Sequence, residues 1–88
     1  MKYKVVYMPQ AQKQLLKMDK YQASVIVAWI RKNLEGTTNP RIQGKGLVGN
    51  HSGEWRYRIG NYRILANIVD SDIIIEIISI GHRKNVYK

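Results

Sequence analysis

The sequence predicts an α+β domain: an N-terminal strand, a two-helix hairpin, then a three-stranded antiparallel meander, with the helices packed on one face of the sheet. Three observations carry that prediction. Residues 54–67 (EWRYRIGNYRILAN) alternate with period two on either side of Gly60-Asn61, a two-residue hairpin signal. Residues 72–80 (DIIIEIISI) form an isoleucine-rich run behind a second turn signal, Asp70-Ser71. Residues 10–34 carry apolar side chains at helical spacing. The 88 residues suit one small domain spanning 1–88, and a hydrophobic content of 44% is that of a folded chain.

Residues 2–8 (KYKVVYM) read as a strand with Tyr3, Val5 and Tyr7 on one face. Pro9 stops it and suits the first turn of a helix. The first helix, residues 10–18, sets Ala11, Leu15 and Met18 inward and Lys13 and Lys17 outward. Asp19 is the expected N-cap of a second helix over residues 20–34. Tyr21, Val25, Ala28 and Trp29 form its wide apolar stripe, widened by Ile26, Ile30 and Leu34, which places Trp29 in the core. Gly36 supplies the stop. Residues 37–53 (TTNPRIQGKGLVGNHSG), with four glycines and a proline, are expected to form an irregular loop.

If both meander turns are tight, Ile59 pairs with Tyr62, Arg58 with Arg63 and Arg56 with Leu65. Ile68 then pairs with Ile73, Ala66 with Ile75 and Ile64 with Ile77. One face shows Trp55, Tyr57, Ile59, Tyr62, Ile64, Ala66, Ile68, Ile73, Ile75 and Ile77, and is the core. The other shows Arg56, Arg58, Arg63, Leu65, Asn67, Ile74, Glu76, Ile78 and Ile80, half basic and half apolar. Gly81 is expected to bend the tail so that Arg83 and Tyr87 return over the basic face.

Charge narrows the function classes. Fifteen Lys plus Arg stand against six acids, a net charge of +9, which favours nucleic acid over a merely solvated basic surface. With no cysteine there is no disulfide, thiol nucleophile or zinc–thiolate site. The first residues lack the apolar run of a signal peptide and no stretch approaches a membrane span, so the expected location is the cytoplasm. Gly44-Lys45-Gly46 resembles a fragment of a phosphate loop but lacks the Lys-Ser/Thr pair of a P-loop. Neither His51 and His82 nor Ser52 and Ser79 have the supporting acids of a metal site or a hydrolase triad, and no cofactor is expected.

Two arginines directly opposite each other on a hairpin repel, so the Arg58/Arg63 pair points to a polyanion. An arginine cluster is suited to RNA cleavage without a metal, because the nucleophile, a 2′-hydroxyl, arrives with the substrate. The protein then aligns it, neutralises the phosphorane and moves protons. Arginine offers a rigid planar fork of donors to phosphate oxygens. His82 is a candidate proton carrier, Tyr87 a candidate to stack on a base or share a proton, and Lys45, His82 and Lys84 candidate RNA contacts. The apolar strip Ile74, Ile78 and Ile80 beside the arginines is a candidate surface for a partner protein.

The hairpin WRYRIGNYRIL, the strand DIIIEIISI and the ending GHRKNVY resemble the RelE/ParE toxin superfamily, in particular its RelE-like members. The resemblance covers essentially the whole chain. It implies a toxin of a type II toxin–antitoxin pair that enters the ribosomal A site and cuts bound mRNA, and that a cognate antitoxin wraps and neutralises in a hetero-oligomer. By the same resemblance Arg56 and Arg58 match the two basic residues of the first hairpin strand, which are lysines in RelE-like toxins. Arg63 matches a phosphate and transition-state contact, Arg83 the tail arginine that acts as acid or charge stabiliser, and Tyr87 the tyrosine that orients the cut nucleotide. Lys45 stands where some relatives carry a catalytic glutamate. The alternative within the superfamily is a ParE-like inhibitor of DNA gyrase that acts by binding, with no nuclease site.

Overall fold

The structure, a computed structural model, describes residues 1–46 and 54–82. Seven elements follow in chain order: β1 (Lys4–Tyr7), α1 (Pro9–Lys17), α2 (Lys20–Asn33), β2 (Lys45–Gly46), β3 (Glu54–Ile59), β4 (Tyr62–Val69) and β5 (Ile74–His82). The strands form one sheet in the order β1-β5-β4-β3-β2. The meander β3-β4-β5 is antiparallel, β2 adds antiparallel to β3, and β1 lies parallel to β5 at the far edge. The α+β architecture with helices on one face is as expected, and β1 and β2 extend the meander to a mixed five-stranded sheet.

Local chemistry sets the helix ends. Pro9 occupies the first turn of α1. At α2 the Asp19 carboxylate accepts from the Gln22 N–H at 3.1 Å, satisfying one of the first-turn donors. Beyond α2, Gly36 takes φ +79° and its N–H donates to the Tyr3 carbonyl, while the Tyr3 N–H donates to the Thr37 carbonyl. That two-way pairing ties the helix exit to the chain entering β1.

Ala11, Ile26, Ile30 and Leu34 from the helices meet Tyr57, Ile59, Ile64, Ala66, Ile75, Ile77 and Ile80 from the sheet in one buried cluster. Each fully buried isoleucine contributes ~1.5–3 kcal/mol, so this face holds the helices down. Trp29 and Trp55 pack at its margin, both half-buried.

The β3–β4 hairpin has the expected register, with Arg58 opposite Arg63 and Ile59 opposite Tyr62. Gly60 takes φ +57° and Asn61 does not take a positive φ, the pattern of a type II′ turn. The second turn differs from the expectation. Residues 70–73 form it, and Ile73 sits in the left-handed region at φ 56° instead of in a strand. Ile68 therefore pairs with Ile75 and Ala66 with Ile77, a shift of two that keeps every side chain on its face. A bulge between Leu65 and Ala66 then adds one residue on β5. Past it the parity flips: Ile64 pairs with Ile80, which is 1% exposed and belongs to the core. Ile80 is thus no part of an exposed apolar strip. The Gln14 side chain on α1 accepts from the Ile80 N–H at 2.6 Å, fixing the bulged segment against the helix.

Candidate functional site

The sheet face away from the helices carries its charges in rows. Lys45, Arg56, Leu65 and Ser79 are aligned across β2, β3, β4 and β5, and the next row holds Arg58, Arg63 and Gly81. Beyond the first row lie Glu54, Asn67, Glu76 and Val6, with Asn67 Nδ2 donating to Glu76 Oε1 at 3.2 Å. The acidic row thus borders the basic ones on the same face. Strand spacing of about 4.8 Å and a two-residue rise of about 6.7 Å put the Cα atoms of Arg56, Arg58 and Arg63 within about 9 Å of one another. Arg58 and Lys45 are exposed, whereas Arg56 and Arg63 are half-buried. Three guanidinium groups on one small surface repel, and an anion lying across them removes that repulsion.

The segment before β2 is held by side chains from three directions. Tyr57 Oη donates to the Pro40 carbonyl at 2.6 Å, and Trp55 Nε1 donates to the Gln43 carbonyl at 2.6 Å. Arg41 makes a two-pronged contact with Asp70 at 3.1 and 2.9 Å, and its guanidinium lies 5.9 Å from the Trp55 ring centroid. Tyr3 Oη also donates to Asp70, at 2.6 Å. The hydrogen bonds from Arg41 and then Tyr3 hold the Asp70 carboxyl below its ordinary value, and the bond to Asp70 raises the Tyr3 phenol. Burial pushes the Tyr57 phenol well above its ordinary value. Gly44 takes φ +78°, and a Cβ there would run into the Arg56 carbonyl oxygen and crowd Trp55 Nε1 and Tyr57 Cδ1. Only glycine lets the chain approach β3 this closely and bring Lys45 into line with Arg56.

Between this segment, α2 and β3 lies a hollow of about 290 Å³ lined by Trp29, Gln43, Gly44, Lys45, Arg56 and Arg58. The Trp29 ring leans on Tyr57, with centroids 5.9 Å apart and planes at 55°. Trp29, expected wholly in the core, therefore packs on the core and also walls a cationic hollow. Gln43 and Gly44 were expected to be ordinary loop residues. No local signal in the sequence marks Trp29 out from the other stripe positions of α2, because its role comes from β3 lying beside it.

The structure brings Arg56, Arg58, Arg63 and Lys45 together and does not bring His82 to them. The bulge sets His82 opposite Tyr62, on the helix side of the sheet. The two rings stand edge to face with centroids 5.4 Å apart, in a hollow shared with Gln14, Lys17 and Met18. Ile74 and Ile78 remain half-buried, and Ile80 is core. Arg83, Lys84, Tyr87 and His51 lie outside the described residues.

The family model for the ParE toxin of type II toxin–antitoxin systems matches residues 5–87. The chain belongs to the ParE toxin family. Among solved structures, this ParE-family fold is similar to a chain of the RelBE2 toxin–antitoxin complex of Mycobacterium tuberculosis, with a TM-score of 0.85, 26% identity, and 97% of this chain and 95% of that one covered. It is also similar to a chain of the archaeal RelE–RelB complex of Pyrococcus horikoshii, at a TM-score of 0.73 and 26% identity over 98% and 100% of the two chains. A double mutant of the Escherichia coli toxin RelE in its free state shares the fold at a TM-score of 0.76 and 18% identity, over 98% and 88%. No curated protein sequence matches the chain. Like its family, this chain is a toxin of a type II toxin–antitoxin system, and its basic rows lie on a RelE-like fold.

Proposed function

We propose that this ParE-family toxin is a ribosome-dependent endoribonuclease that cuts mRNA in the A site. The observation that carries the reading is the directly opposed pair Arg58 and Arg63, with Arg56 and Lys45 in the adjoining row of the face away from the helices. Opposed like charges oppose folding, and an RNA phosphate lying across them offsets that repulsion. In the proposed reaction the 2′-oxygen bonds to phosphorus, the bond from phosphorus to the 5′-oxygen breaks, and a 2′,3′-cyclic phosphate and a 5′-hydroxyl result. Arg58 and Arg63 hold the non-bridging oxygens as charge builds on them, and Arg56 and Lys45 hold the neighbouring backbone. Since His82 stands on the other side of the sheet, we assign the 2′ proton to the phenolate form of Tyr87 and give Arg83 the charge on the leaving 5′-oxygen, which takes its proton from water, with Lys84 as a further backbone contact.

The RelBE2 and RelE–RelB structures are complexes with antitoxins, which supports a cognate antitoxin for this chain. An acidic antitoxin segment is proposed to neutralise the arginine rows and to cover Ile74 and Ile78 beside them. Among the described residues no helix is long and apolar enough to cross a membrane.

A second reading rests on the matching family model itself, which is that of ParE. It makes the arginine face a binding surface for DNA gyrase. Inducing the toxin and mapping mRNA 5′ ends on translating ribosomes separates the two. Codon-positioned cuts that disappear in Arg63→Ala and Tyr87→Phe support the nuclease. Gyrase-dependent DNA breaks without such cuts support the binder and remove the nuclease.

A further inference from the structure

We propose that the hollow between Trp29 and β3 is a nucleobase subsite, holding the base of a nucleotide next to the phosphate on Arg58 and Arg63. The inference rests on the nuclease reading for that phosphate, but the geometry of the hollow stands apart from it. Its volume of about 290 Å³ is at the small end for ligand sites and fits one planar group. One wall is the indole of Trp29, braced from behind by Tyr57 at 5.9 Å, so the ring is held in place before a ligand arrives. The same hollow is lined by the cations Lys45, Arg56 and Arg58. An aromatic ring and cations lining one hollow can take an unstacked base and its phosphates, the base on the ring and the phosphates on the charges. Gln43, Gly44 and Lys45 also line it, and their segment is set by the bond from Trp55 Nε1 to the Gln43 carbonyl and by the close approach of Gly44 to β3. A simple anion site would need only the cations and would gain nothing from an indole.

The probe is adenosine 3′,5′-bisphosphate, compared with the same sugar bisphosphate lacking its base. Both are titrated into the ¹⁵N-labelled chain, following the indole N–H signals of Trp29 and Trp55. The base-bearing ligand should bind about ten-fold tighter than the abasic one, as expected for one base–aromatic stack, and should move the Trp29 signal most. Trp29→Leu keeps apolar volume without the ring face, and should cancel that difference while leaving the abasic ligand's affinity unchanged. Trp29→Phe, which preserves a smaller ring, should retain part of it and serves also if the leucine variant does not fold. Equal binding of the two ligands by the wild-type chain, or a difference that survives loss of the ring, would overturn the subsite. Neither readout needs a ribosome or a cut. Base-dependent binding without mRNA cleavage therefore removes the nuclease reading alone, and cleavage with base-indifferent binding removes the subsite alone.

Discussion

Asp70 shows how single residues set the site without touching it. Its carboxylate gathers Arg41 and Tyr3, and Arg41 in turn lies against Trp55, so three segments meet at one exposed acid. The folded state lowers the affinity of Asp70 for its proton, so its contribution to stability is present above the unfolded value of about 3.9 and is lost as pH falls through the lower folded value. Thermal unfolding followed from pH 6 to pH 2 should thus lose stability more steeply below about pH 4 in the wild type than in Asp70→Asn, whose curve is flatter there. The exposure of the pair keeps the effect small. Equal slopes would mean that the contact does not persist in solution.

At the scale of elements, β2 depends on Gly44 and the bulge in β5 depends on Gln14. Gly44→Ala must leave a positive φ and separate the chain from β3, at a cost of at least about 1 kcal/mol. It should also weaken RNA binding by displacing Lys45, which a filter-binding titration reads directly. Gln14→Leu leaves the Ile80 N–H without its acceptor, and urea unfolding should show a loss of about 1–3 kcal/mol. These two elements also mark what the sequence concealed. The β3–β4 hairpin was legible down to its register, because Gly60-Asn61 allows one tight turn and period two fixes the faces. The β4–β5 register was not, because Ile73 has the side chain of a strand residue and yet turns the corner at φ 56°. The bulge between Leu65 and Ala66 has no local signature and is fixed by a glutamine from α1, so Ile80 and His82 changed sides unannounced. Capping at Asp19 was legible, whereas the stripe read on α2 was only partly right: Ile26 and Ile30 are its core residues, Tyr21 and Ala28 are exposed, and the second role of Trp29 depends on which strand lies beside it.

Across the described residues, the buried core and the arginine rows lie on opposite faces of one sheet. The helices cover the core face, and the arginine rows lie on the other. On the proposed function, the net charge of +9 draws RNA to the molecule and the rows decide where it lies. Three or four phosphate contacts on a single strand give a slope of log affinity against log salt of about −2 to −3, and Arg58→Ala should lower its magnitude by about 0.7. An unchanged slope would place the RNA elsewhere on the basic surface.

The central claim is that the arginine rows hold one phosphate while the adjacent 2′-hydroxyl attacks it. The most direct test presents the toxin with ribosomes programmed with mRNA carrying a single 2′-deoxy substitution at the attacked nucleotide of the A-site codon. The account predicts cleavage of the all-ribose message to a 2′,3′-cyclic phosphate and a 5′-hydroxyl, and an intact message where the 2′-hydroxyl is missing. Cleavage that persists on the 2′-deoxy message, or no cleavage of either, would contradict it.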